Sequence, residues 1–243
     1  MYEEELAKAT PDRGENVDQQ RLMSVWEQSL AAAEVELTTP GLIEALQSPH
    51  LHIRVGAALL LGRRGEMSAI SHLKSLLGDR IEAVRVEAAM SLALLGDRSG
   101  ISVLAEAVND ELVTTAPITA ASYLAVLGDP RGYKTVLKAL NSNLTGIRLA
   151  AAVALKNFLP YKGKEIDGRK MNLFATLKKA LNDPDSMVRR ELLYKVAMLD
   201  DPRGSALLSK ICDSDSDERV RQTAQYLLSS RSGSINPKVD GEM

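Results

Sequence analysis

The side chains able to do chemistry are few and poorly grouped. The only histidines are His50, His52 and His72. His50 and His52 flank the start of a candidate helix and are near enough in sequence to share a metal ion. No cysteine joins them, and the ligand spacing of a zinc site is absent. The sole cysteine, Cys212, sits in an apolar helical stripe beside Ile211. With no histidine near it to act as a base, it reads as a packed thiol rather than a nucleophile. Carboxylates are dense at Asp183 and Asp185 and again at Asp213, Asp215, Asp217 and Glu218. Their spacing is not that of a calcium loop, and helix starts favour acidic groups by local electrostatics. No glycine-rich phosphate loop follows a predicted strand. The expectation is therefore no catalytic, cofactor-binding or metal-binding residue.

One chemically active residue type does recur in order. Arg54, Arg85, Arg148, Arg189 and Arg221 occupy the same place in a repeating pattern, interrupted once by Pro117. A row of guanidinium groups is able to bind anions. It is equally able to tie neighbouring repeats together through forked hydrogen bonds to the acidic and hydroxyl residues of adjacent turns. The second, structural role is the one we assign to all five.

The elements that carry this row are helices. Segments beginning IRVGAALLLG at Ile53, VRVEAAMSLALLG at Val84, APITAASYLAVLG at Ala116, IRLAAAVALKNFL at Ile147, VRRELLYKVAMLD at Val188 and VRQTAQYLLS at Val220 follow one another at offsets of 31, 32, 31, 41 and 32 residues. Each is preceded by a shorter apolar helix, such as GLIEALQS or GISVLAEAV. Helices this short are not stable alone in water and must borrow stability from their neighbours. Five residues ahead of each aligned Val, Ile or Ala stands Ser48, Asp79, Glu111, Ser142, Asp183 or Asp215. Five of these are good N-cap types, and Pro49 and Pro184 would follow at the first helical position. Between repeats, GDRSG, GDPRG and DDPRG supply breaks, with Asp97, Asp129 and Asp201 as caps.

The Asp-Pro turn followed by Val-Arg and a small-residue helix resembles HEAT repeats. The short period and the Leu-Gly-Asp exits look most like the short HEAT-like repeats of phycobilisome lyase-type proteins. The resemblance covers about residues 39–230. It implies an all-α fold: a right-handed α-solenoid of about six antiparallel two-helix repeats, with the second helices lining the concave side of a superhelix. Residues 1–38 are predicted as a flexible N-terminus, with a turn-rich stretch at Pro11–Asn16, and a capping helix over Asp18–Leu37 whose Trp26 covers the end of the core. Residues 39–230 form the repeat domain, and 231–243 a flexible tail. The same family includes enzymes that attach bilin chromophores and di-iron hydroxylases with His-Glu metal ligands. No bilin pocket is legible in these residues, and the chain contains no His-Glu pair.

Helical periodicity selects one outward face. In the second repeat Val84, Ala88, Leu92 and Leu95 share a core stripe, which leaves Met90 and Leu94 on the opposite side. Those two positions read through the repeats give Leu59, Met90, Leu94, Val126, Val153, Tyr194, Met198 and Tyr226 as candidate protein-binding residues. An apolar groove along the concave face would suit a partner's helix or extended peptide. The lengthened fourth interval inserts PYKGKEIDGRK, read as a loop. Its Lys162, Lys164, Arg169 and Lys170, with Lys178 and Lys179 on the next helix, are candidate anion-binding residues.

Composition narrows the function classes. Thirty basic and 32 acidic residues leave a formal net charge of -2, with no broad positive field for nucleic acid. The opening residues MYEEELAK carry no apolar run, so no secretory signal is read there, and no stretch reaches the about 20 apolar residues of a membrane span. The prediction is a cytoplasmic, non-enzymatic protein-binding scaffold or adaptor. The alternatives are a bilin lyase-like or chaperone-like subunit of a partner complex, and a nucleic-acid binder using the basic region 162–179.

Overall fold

The computed structural model describes residues 13–108, 114–166 and 168–231. The chain divides into two compact units, Met1–Val103 and Leu104–Met243, taken in turn below. Glu111, Pro11 and Asp12 of the expected N-terminal turn, and all of the expected tail but Arg231 lie outside the described residues; the rest of that turn, Arg13–Asn16, is helical instead.

In the N-terminal unit, α1 (Arg13–Ala32) packs on α3 (Leu51–Arg63). It starts five residues before the expected Asp18 and runs through Asn16. It also stops short of the expected Leu37. Glu34 turns left-handed at φ 59°, and the Val35 N–H closes on the Leu30 carbonyl at 3.0 Å, a helix-ending loop that caps the last carbonyls. Trp26 lies over Gly56 of α3, so closely that a Cβ there would sit 2.6 Å from the indole ring. The cap is latched by Arg64, which donates to the Leu37 carbonyl at 2.6 Å and to Glu27 at 2.8 Å. The helices α2 (Thr39–Ala45) and α3 form the first pair, and α4 (Ile70–Leu76) and α5 (Glu82–Leu94) the second. Along the joined core, Leu30, Leu42, Leu60, Leu73, Val84 and Leu92 are fully buried. Val84, Ala88, Leu92 and Leu95 all face inward as the periodicity requires.

The helix α6 (Ile101–Ala107) spans the division between units. The C-terminal unit continues with the second helices α7 (Ala116–Val126), α9 (Thr145–Ala154), α11 (Ser186–Met198) and α13 (Glu218–Arg231). These pack on one another in sequence order. The first helices α8 (Tyr133–Ala139), α10 (Leu173–Ala180) and α12 (Arg203–Ser214) lie against them.

The exits from the second helices share one chemistry. Gly96 and Gly128 adopt φ 75° and 88°, where a side chain would clash with backbone. The next residues, Asp97 and Asp129, each send a backbone N–H back to the final turn at 2.8 Å. Those aspartates then accept from the Ser99 and Arg131 N–H groups, and Asp201 from the Arg203 N–H. Asp129 thereby caps a 3-10 turn as expected, whereas Asp97 and Asp201 stand ahead of the helix start and are not its N-cap. In the fifth repeat Asp200 stands in the glycine position, with φ 30°.

The entrances differ from expectation. Ser48, Asp79, Ser142, Asp183 and Asp215 are not N-caps. Each accepts from the backbone N–H two residues on, building a tight side-chain turn before the helix begins. Pro49 and Pro184 lie inside those turns rather than in the first helical turn. The capping residues at two entrances are Asp185 and Asp217, each accepting from two N–H groups.

The insertion is not a simple loop. Residues Leu155–Tyr161 wind as a 3-10 segment that buries Phe158 and Tyr161 beside Tyr133. A short antiparallel hairpin follows, β1 (Glu165–Ile166) with β2 (Arg169–Lys170). The aromatic cluster fills the gap opened by the longer interval. The Tyr161 hydroxyl donates to the Ala125 carbonyl at 2.5 Å.

Candidate functional site

The repeated arginines come first. In the N-terminal unit Arg54 Nη2 donates to Asp79 Oδ1 at 3.1 Å, and Nη1 donates to the Ser48 and Pro49 carbonyls. Its Nε lies 2.9 Å from Asp79 Oδ2 without donating a hydrogen bond. Arg85 donates to the Asp79 carbonyl at 2.9 Å. In the C-terminal unit Arg148 clasps Asp183 at 2.7 and 3.1 Å, and Arg189 clasps Asp215 at 2.9 and 2.8 Å. Arg221 donates to the Asp215 and Ser216 carbonyls. Each guanidinium thus braces its own entrance turn, and three also reach the entrance aspartate of the next repeat.

Charge and burial reinforce this. Burial opposes ionisation of Asp79, but the Ile81 N–H and Arg54 outweigh it and hold the carboxyl below its ordinary value. At Asp215 burial is likewise overcome, by Arg189 and the Asp217 N–H. The Asp183 carboxylate raises the pKa of Arg148. Arg54, Arg148 and Arg189 are buried and already paired, so they present little to an external anion.

The eight side chains of the expected protein-binding face divide sharply. Leu59 is only 7% exposed and belongs to the core. It is removed from the face, because α3 is flanked by both α1 and α5 and is buried on several sides. Met90, Val153 and Tyr194 are half-buried. Leu94 is 45%, Met198 50%, Val126 57% and Tyr226 60% exposed. In the C-terminal unit the last three lie on α11, α7 and α13, helices of one packed layer. Beside Tyr194 and Met198 sits the Lys195–Glu191 ion pair.

The six expected anion-binding residues are all exposed. Lys162 is tied down, donating to the Asp200 carbonyl at 2.7 Å, and Lys164 lies over the Tyr161 ring. Arg169, Lys170 and Lys179 line a cleft of about 920 Å³ between α8, the hairpin and α10. Lys178 lines a second depression, of about 690 Å³, between α10 and α12.

Among the described residues the histidines lie apart in sequence from the cysteine. His50 and His52 are exposed, with ring centroids 5.8 Å apart. Cys212 is half-buried on α12. Among the described residues no group of three or more His, Cys, Asp or Glu converges as a metal donor set, and no helix is long and apolar enough to cross a membrane. Sequence reasoning missed Glu87 on α5. Burial pushes its carboxyl up to about 7, against the pull of Arg63 and a hydrogen bond with Ser91. Nothing in its spacing announced this, since it lies on the face read as solvent-facing.

Short helix pairs stacked through shared turns define an all-α solenoid. The sequence profile for HEAT repeats matches residues 39–116 and 166–229, and the chain belongs to that family. Its fold is similar to an engineered protein at 23% identity, covering 80% of this chain and 96% of that one, with a TM-score of 0.51. It is similar to a computationally designed armadillo repeat protein for modular peptide recognition, at 20% identity, 79% and 99% coverage and a TM-score of 0.50. The complex of CpcE and CpcF of phycocyanin lyase from Nostoc sp. PCC7120 is 24% identical over 78% of this chain and 75% of that one, at a TM-score of 0.49. No curated protein sequence matches.

Proposed function

We propose that this chain is a non-enzymatic, cytoplasmic scaffold or adaptor that holds a partner protein against the outward face of its second helices. One observation carries the reading. Val126, Met198 and Tyr226 are each at least half exposed, on helices of a single packed layer. Methionine and tyrosine adapt their shape to a contact and supply large area at small entropic cost. Val153 and Tyr194, half-buried on the same layer, would form the floor. An amphipathic helix or extended apolar segment has the geometry to cover such a row. A designed armadillo protein made for peptide recognition has a similar fold, which supports the idea that a helix layer of this kind accommodates a peptide. The argument for this chain rests on its own side chains.

The test is affinity capture of the intact chain from its native cells, quantified against the double variant Met198→Asp, Tyr226→Asp. Exposed substitutions of this kind change stability by about 0.5 kcal/mol or less, so the melting temperature should hold. Loss of one specific partner supports the reading. An unchanged set of captured proteins defeats it.

A further inference from the structure

We infer that the first-helix side of the C-terminal unit carries a second binding track, fitted to an extended acidic peptide segment of a partner protein. The cleft between α8, the hairpin and α10 shares Ala175, Lys179, Asn182 and Asp183 with the depression between α10 and α12. The two hollows therefore adjoin across α10. Packed helices lie about 10 Å apart, so a path from α8 to α12 is about 20 Å long. That is about six residues of extended chain.

The charges along the path have one sign once internal pairs are removed. Asp183 and Asp215 line the hollows, but each is clasped by its repeat arginine, Arg148 or Arg189. Arg169, Lys170, Lys178, Lys179 and Lys210 also line them, and none is in an ion pair among the described residues. These cations sit on three separate elements, β2, α10 and α12, so they are spread along the track rather than gathered at one point. A compact anion would meet only some of them, whereas an extended chain with carboxylates at intervals meets them all.

The lining also separates a peptide from a nucleic acid. Tyr133, the aromatic in the cleft wall, is buried, and its hydroxyl lies 2.8 Å from Thr176 Oγ1, so its face is not offered for base stacking. Half-buried Leu137, Ile166 and Leu207 stand between the charges and would receive aliphatic side chains. The occupant that matches is acidic and partly aliphatic.

The probe is a fluorescein-labelled, end-capped hexapeptide alternating glutamate and leucine, followed by fluorescence anisotropy with the full chain at low salt. Saturable binding is expected. Arg169→Glu with Lys179→Glu should weaken it by about tenfold or more, the effect of about 1.4 kcal/mol. The same peptide with glutamine for glutamate should bind at least about tenfold more weakly, and added salt should act in the same direction. Lys138→Glu, an exposed change on α8 outside both hollows, should leave binding unchanged, as should Met198→Asp with Tyr226→Asp. The last comparison separates this track from the second-helix face. No binding, equal loss with Lys138→Glu, or tighter binding of an oligothymidylate through Arg169 and Lys179 would each overturn the inference.

Discussion

Arg189 and Asp215 meet through two parallel hydrogen bonds across a repeat boundary, Nε to Oδ2 at 2.9 Å and Nη2 to Oδ1 at 2.8 Å. The same carboxylate accepts the Asp217 N–H at 2.9 Å. One aspartate thus shapes the entrance of its own helix and anchors the repeat before it. Arg148 and Asp183 repeat the arrangement.

Removing one member of such a pair strands the other. Arg148 is buried, and breaking a buried pair costs about 3–5 kcal/mol. Asp183→Ala should therefore destabilise the chain by about 3 kcal/mol in chemical denaturation. Arg148→Met with Asp183→Ala should cost less than the two single changes added. Additive costs would show that the two side chains do not act together.

Acid should weaken the same boundaries. Asp79 and Asp215 are held below their ordinary value of 3.8, and Asp97, held by Lys74 and Ser99, falls to about 2. The unfolded chain takes up these protons first, so the contribution is complete above about pH 4. It is lost as pH drops from there through the folded values. Denaturation midpoints measured from pH 6 to pH 2 should fall most steeply below pH 4.

Glu87 should act in the opposite sense. Its carboxyl rises from 4.5 to about 7 in the folded chain, so the folded state holds a proton that the unfolded state has released. Stability should decline between about pH 4.5 and pH 7 by up to about 3 kcal/mol, an upper limit for a half-buried group. Glu87→Gln should remove that slope and raise stability at pH 8. A variant with the same slope as the parent would place the titration elsewhere.

Asp200 occupies a backbone conformation that the earlier repeats give to glycine. A side chain there costs about 1 kcal/mol, so Asp200→Gly should raise the midpoint by a measurable step. Its carbonyl would still accept from Lys162.

Much of this was legible in the amino acids. The repeat offsets and the core stripe at Val84, Ala88, Leu92 and Leu95 follow from spacing and residue type. The arginine row does so only in part: Arg54, Arg148 and Arg189 reach the next repeat's aspartate, whereas among the described residues Arg85 and Arg221 bond within their own entrance turns. What was not legible depends on neighbours distant in sequence. Leu59 looked equivalent to Met90, but α1 and α5 close over it. The entrance aspartates looked like N-caps because a tight side-chain turn uses the same residue types two positions earlier. The insertion looked like a loop because its order comes from Phe158 and Tyr161 packing beside Tyr133, a contact no local pattern announces. The two hollows beside α10 arise from three elements at once, so Arg169, Lys170, Lys178 and Lys179 were named beforehand but Lys210 was not.

The interrupted arginine row has its own consequence. Where Pro117 replaces arginine, hydroxyl groups take over: Thr135 Oγ1 donates to the Val108 carbonyl at 2.8 Å, and Tyr161 donates to Ala125. Neither bond carries a formal charge. These two joints should therefore hold in brine or vinegar, while the boundaries fastened by ions at Arg54, Arg148 and Arg189 let go first. Such a molecule would loosen on both sides of an uncharged middle.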